Sequence, residues 1–195
     1  ARPASPGASR EPIQIGAELF GQAGVAGDLE IQGLLCRALA VAGVKGARMD
    51  VGHVAVFGAL VQAAGIGHDL EVALFEALQR KDVPALKVLT RRTDAKTRAA
   101  LLLLPDLYGD ADVLDIAERK LPRLPELQKA LATLRALAKA SPIPVSFDLA
   151  ELRGYHYHSG VVFDAYCEGV AGAVADGKTA RIRLKLNNLV DPTLI

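Results

Sequence analysis

Apolar and polar residues alternate along EPIQIGAELFG, residues 11–21. Ile13, Ile15, Ala17 and Leu19 fall on one side; Gln14, Gly16, Glu18 and Phe20 fall on the other. Period two predicts a strand with one apolar and one mixed face, and Pro12 near its start is compatible with that. Ahead of it, Pro3, Pro6 and Gly7 among serines read as a loop. After a second loop over 22–27 the spacing turns helical at 28–42. Asp28 suits an N-cap or first turn, and Gly43 suits the stop. A short strand is predicted at 47–51. This strand–helix–strand order suggests a mixed sheet backed by helices.

The pattern then changes character. Helical periodicity is predicted at 54–64, 69–80, 83–92, 95–103, 112–121 and 124–140. Breaks come at 65–67, 82–84, 105–109 and 122–125, each marked by Gly or Pro. Residues 53–140 therefore read as a helical region inserted into, or packed on, an α/β domain formed by 1–52 and 141–195. Strands return at 144–149 and 155–166, with a third expected at 169–175. Asp176-Gly177 reads as a hairpin turn. Residues 179–186 set Arg181, Arg183 and Lys185 against Ile182, Leu184 and Leu186, the pattern of a basic edge strand whose charges guard against stray pairing.

Composition narrows the class. Of 195 residues, 51% are hydrophobic and 23% charged, near the globular average, with little aromatic content and no Trp. The net charge of +1 calls for no nucleic acid, membrane or acidic partner. The N-terminal run has no apolar core and does not read as a signal peptide. The longest uncharged run, 51–68, is broken by four glycines and suits a buried helix better than a membrane span. Cys36 and Cys167 are far apart and read as buried free thiols in a reducing cytoplasm.

Candidate chemistry gathers in three places. Gln14 and Glu18 flank Gly16 on one strand face, roughly 13 Å apart at about 3.3 Å per residue. A strand glycine often marks close approach by a ligand or another chain. An amide and a carboxylate around that gap could hold a small molecule with an ammonium group; taken alone, the segment reads first as an exposed sheet face with ordinary polar residues. The second place is LRGYHYHSG, residues 152–160. As a strand it puts Tyr155, Tyr157 and Ser159 on one face, His156 and His158 on the other. The His pair has no further metal-ligand motif beside it, so no metal is expected. Arg153 offers a fixed cation to a carboxylate or phosphate, or forms a salt bridge with Glu151 or Asp148. Those two carboxylates are the third place: a pair suited to acid–base work, read in preference as a cap or a solvated pair. His53 and His68 suit caps or core positions. No P-loop, nucleophile elbow or dinucleotide fingerprint is present, and no cofactor is expected.

Two segments converge on one family. REPIQIGAELFG resembles the strand after the motif-2 loop of histidyl-tRNA synthetase, which reads like RxFxQFGVExFG. LRGYHYHSGVVFDAY resembles the synthetase's histidine-binding motif, which reads like RGLDYYTGTVFE. With GVAGDLEIQ and DVGHVAVFGALVQAAG, the likeness covers about residues 2–175. It is strongest to the non-catalytic paralogues that regulate ATP phosphoribosyltransferase. It implies a class II aminoacyl-tRNA synthetase-like α/β (α+β) fold, with a mixed, mainly antiparallel sheet, flanking helices and a helical insertion.

The resemblance also implies function. The family lacks aminoacylation activity. It joins the short catalytic ATP phosphoribosyltransferase in a cytoplasmic hetero-octamer, self-associates, and confers histidine feedback inhibition on histidine biosynthesis. The alternative is a piece of a synthetase catalytic domain. Gln14 and Glu18 match positions that hold histidine in the synthetase. Arg153 matches the arginine that meets substrate carboxylate and phosphate. Tyr157 matches the first Tyr of the synthetase pair, His158 replaces the second, and Tyr155 is expected in the same histidine site. The family's upstream motifs, its Gly-Gly-Arg-Tyr-Asp run and motif 3 are not in this chain, and the stretch from Lys178 onward resembles neither relative.

Overall fold

The structure, a computed structural model, describes residues 14–22, 24–156, 160–170, 172–179 and 181–185. Among these, seven strands form one sheet in the order β1-β7-β6-β5-β2-β4-β3. They are β1 (Gln14–Glu18), β2 (Arg48–His53), β3 (Tyr108–Gly109), β4 (Val145–Asp148), β5 (Val161–Tyr166), β6 (Ala175–Lys178) and β7 (Arg181–Lys185). β2 and β4 run parallel; the other neighbouring pairs are antiparallel. The expected mixed, mainly antiparallel sheet is present.

The helices are α1 (Val25–Val41), α2 (Ala55–Ala63), α3 (His68–Gln79), α4 (Val83–Leu89), α5 (Ala95–Leu103), α6 (Asp112–Lys120) and α7 (Pro125–Ala140). Their ends follow local chemistry. Asp82 accepts from Ala85 N at 3.0 Å to start α4. Asp94 accepts from Lys96 N and Thr97 N to start α5. Pro125 opens α7, where its missing N–H costs nothing. Past α1, Val44 N donates to Leu39 O and Gly43 N to Ala40 O, closing the last turn. α1 begins three residues before the expected Asp28, so Asp28 lies within its first turn.

α7 buries Leu127, Ala130, Leu131, Leu134 and Leu137, one stripe of a 3.6-residue repeat. That stripe lies against α1, α2 and β2. Phe57, Phe147, Phe163, Met49, Leu35 and Leu39 fill the same continuous core. Gln32, almost fully buried in α1, donates to Leu137 O at 3.2 Å and satisfies its amide inside that core. The helical stretch also feeds the sheet, since β3 pairs with β4.

Four expectations in the C-terminal third are corrected. Residues 153–156 form a turn, and the strand expected from 155 starts at Val161. The strand expected at 169–175 is replaced by β6, which begins at Ala175. Asp176 and Gly177 make no hairpin turn; they lie inside β6, opposite Asp164 and Phe163. A Cβ on Gly177 would sit 2.1 Å from the Phe163 ring, so this glycine lets a large ring cross the neighbouring strand. Finally, β7 is no edge strand. It lies between β1 and β6, and its Arg181 meets Glu18 on β1.

Candidate functional site

Strand pairing aligns polar residues from distant parts of the chain. Gly16 pairs with Arg183, Arg183 with Asp176, Asp176 with Asp164, Asp164 with Asp50, and Asp50 with Ser146. Directly opposed residues share a face. This row therefore crosses six strands on one side of the sheet. The other side carries Ala17, Ile182, Phe163, Val51 and Phe147 in the next row, facing the helices. One side of the sheet is thus core, and the other is a polar platform.

Gln14 and Glu18 stand at the β1 end of the platform. Both are exposed, and Glu18 Oε1 forms an ion pair with Arg181 on β7. Asp164 stands three strands away, about 14 Å at the usual spacing. It is nearly fully buried, and its Oδ2 receives Arg153. Tyr166 Oη donates to the same oxygen at 3.4 Å. Burial pushes the Tyr166 hydroxyl above its ordinary range. Arg48 lies 5.8 Å over the Tyr166 ring, and Ser146 Oγ donates to Asp50.

The turn that presents Arg153 is built tightly. Asp148 Oδ1 accepts from Ala150 N at 2.9 Å, and its other oxygen meets Lys81 Nζ at 2.7 Å. Glu151 Oε1 accepts both Arg153 N at 2.8 Å and Arg153 Nε at 2.9 Å. Arg153 is thereby held between Glu151 and Asp164. Of its two expected partners Glu151 is one; Asp148 belongs to Lys81 instead. Gly52 makes room for this turn: a Cβ there would meet Asp148 O at 2.8 Å and Glu151 Cβ at 3.0 Å.

Tyr155 turns the other way. Its ring packs edge-on to Phe57 at 5.1 Å and stacks on Phe75 at 5.8 Å. Its hydroxyl donates to Glu71 Oε1 at 2.7 Å. Burial first, then Glu71, raises its pKa well above the ordinary phenol value. It lines a cleft of about 1420 Å³ between α2, α7 and the start of α1, with His156 and Gly160 also in the lining. Tyr157 and His158 lie outside the described residues. Gln14, Glu18 and Arg153 therefore share the platform, whereas Tyr155 faces the cleft.

Sequence reading missed Asp164 and Asp50. Each is a lone acid in an apolar run, Val-Val-Phe-Asp-Ala and Met-Asp-Val, and that was the available signal. Cys36 and Cys167 are free thiols, as expected; the burial expected of both holds for Cys36 only, and Cys167 is partly exposed. Among the described residues no metal-ligand cluster is found, and no helix is long and apolar enough to cross a membrane.

Known structures share this architecture. An ATP phosphoribosyltransferase regulatory subunit/histidyl-tRNA synthetase from Bacillus halodurans aligns with TM-score 0.76 at 21% identity, covering 90% of this chain and 52% of that one. An ATP phosphoribosyl transferase (HisG:HisZ) complex from Thermotoga maritima contains a chain aligning with TM-score 0.69 at 16% identity, covering 90% and 66%. The fold is that of the class II synthetase-like proteins. Residues 1–179 match the profile of the histidyl-tRNA synthetase family, and the chain belongs to that family. Its similarity extends to ATP phosphoribosyltransferase regulatory subunits. That of Nitrosospira multiformis is 50% identical over 184 residues, 91% of this chain and 47% of the relative. That of Azoarcus sp. is 52% identical over 171 residues, 87% and 44%. The chain thus spans about half the length of these relatives.

Proposed function

We propose that this chain acts within a regulatory, non-catalytic subunit of ATP phosphoribosyltransferase and reads free histidine for feedback control of histidine biosynthesis. The proposed partner is the catalytic phosphoribosyltransferase subunit, in a cytoplasmic hetero-octamer. Relatives at about half identity carry that regulatory name. The observation that carries the reading is the shared platform. Gln14 and Glu18 offer an amide and a carboxylate to an ammonium or imidazole, and Arg153 offers a guanidinium to a carboxylate. Glycine leaves the backbone bare at Gly16, between the two β1 side chains.

The grip on Arg153 shapes how histidine would act. Its charge is already engaged by Glu151 and Asp164, so an incoming carboxylate competes with them or adds to the network. Either way binding reorganises the turn at 151–156. Inhibition then follows if histidine prefers one arrangement of the assembly, since a ligand shifts an equilibrium only by its differential affinity. Calorimetry on the assembled complex tests the site. Glu18→Ala is expected to weaken histidine about tenfold or more by removing a charged hydrogen bond; unchanged affinity would falsify the assignment. The family's synthetase members supply the second reading. Histidine-dependent pyrophosphate exchange by the full-length protein would establish it and remove the regulatory one.

A further inference from the structure

The helix-covered side of the sheet carries a second polar site that the histidine reading does not use. The buried end of the cleft lies at the first turn of α1 and the ends of β2 and β6, where Asp28, His53, Gly160 and Thr179 line it. Asp28 is 5% exposed and His53 8%. Among the described residues Asp28 Oδ1 is buried with no hydrogen-bond partner. An ionised oxygen in that position costs free energy until a donor reaches it. Thr179 bonds the Asp28 carboxyl, and Thr179 Oγ1 also accepts from Val161 N at 2.8 Å, so that hydroxyl is already engaged. His53 Nδ1 accepts from Ala55 N at 3.2 Å, which leaves the neutral ring's proton on Nε2.

The rest of the cleft fixes the class of ligand. Among the described lining residues, Glu71 and Glu126 add two carboxylates to Asp28, against one lysine, Lys129. The lining also includes Ala55, Gly58, Ala59, Ala136 and the Tyr155 ring, small or aromatic surfaces that accept a flat or slender apolar body. We propose that the inner end of this cleft binds a small organic cation, a primary ammonium on an aromatic or short aliphatic body, with Asp28 as its counter-ion. The ammonium supplies the donor that Asp28 Oδ1 lacks. The body lies along the alanine wall beside Tyr155. The cleft as a whole exceeds the ~300–1,000 Å³ typical of small-ligand sites, so the ligand fills the inner end and leaves the mouth open.

Benzylamine is the probe, with benzyl alcohol as its uncharged counterpart. Titration into the isotopically labelled chain, followed by backbone amide NMR shifts, reads both affinity and place. Benzylamine is expected to shift the amides of Asp28, Gly58, Ala59 and Thr179 saturably, leave Gln14–Glu18 still, and bind at least about tenfold more tightly than the alcohol. Asp28→Asn keeps the shape, removes the charge, and is expected to lose that tenfold preference. Ala136→Leu fills the wall from a half-exposed position and is expected to block both probes. It serves as the deciding variant if Asp28→Asn fails to fold. Equal binding of amine and alcohol, shifts confined to β1, or undiminished benzylamine binding by either folded variant would overturn the proposal. Because the histidine test reads Glu18 on the opposite side of the sheet, failure of one leaves the other standing.

Discussion

Asp164 stands directly opposite Asp50 in the antiparallel pairing of β5 with β2, and each carboxylate is answered by a different neighbour. Arg153 and Tyr166 meet Asp164, and the Ser146 hydroxyl meets Asp50. Like charges directly opposed destabilise a sheet. The pair is tolerable here because a cation from the turn between β4 and β5 lies on it. Arg153 is thus a structural strut as well as a candidate ligand group, and the two roles separate on substitution.

Arg153→Ala leaves a nearly fully buried carboxylate beside a second one. Removing one partner of a buried pair is costly, and half-exposure of Arg153 moderates the effect to roughly 2 kcal/mol. Urea unfolding checks it. Adding Asp164→Asn removes the stranded charge and is expected to restore most of the loss, without restoring histidine binding. If the double variant is no more stable than Arg153→Ala, the strut account is wrong.

Tyr155 tests the other side of the same turn. Tyr155→Phe keeps the ring between Phe57 and Phe75 but removes the hydroxyl that donates to Glu71. The expected cost is about 1.5–3 kcal/mol, for a hydrogen bond to a charged acceptor. The pH dependence has a definite sign. The folded pKa lies above the unfolded value near 10, so the folded state holds this proton more tightly. That contribution is complete below pH 10 and fades as pH rises above it. Wild type is therefore expected to lose stability faster than Tyr155→Phe above pH 10. Parallel alkaline unfolding curves would show that Glu71 and burial exert no such hold.

The helices were legible because their signals are local. The 3.6-residue stripe of α7 and the starts at Asp82, Asp94 and Pro125 are all written within a few residues. So was the two-faced β1, with Gln14, Gly16 and Glu18 together on its mixed face. What failed depended on pairing across the chain. Asp176-Gly177 carries a turn signature, yet β5 and β7 claim it from either side and Phe163 needs the glycine's bare face. The alternation of β7 marked a strand correctly but said nothing of its neighbours, so an interior strand was read as an edge. The partnership of Arg153 with Asp164 was hidden for the same reason, because no local spacing states that β5 will lie under the turn.

Gly52 links fold to proposed function most directly. It sits on β2 under the Asp148–Glu151 turn, where an added Cβ would meet a backbone oxygen at 2.8 Å and Glu151 Cβ at 3.0 Å. Backbone cannot swing aside as a long side chain can, so Gly52→Ala must lift the turn. The expected cost is about 1–3 kcal/mol, the range for overpacking. Lifting the turn also moves Glu151, which holds Arg153 through both its backbone N–H and its Nε. Histidine affinity is therefore expected to fall, although Gly52 would touch no ligand. Gly33→Ala is the control, since a Cβ there meets nothing closer than the Arg37 guanidinium at 3.6 Å, and a helix interior favours alanine. Calorimetry and urea unfolding on both variants decide the matter. A Gly52→Ala protein that is destabilised yet binds histidine normally when folded would detach Arg153 from the sensor site.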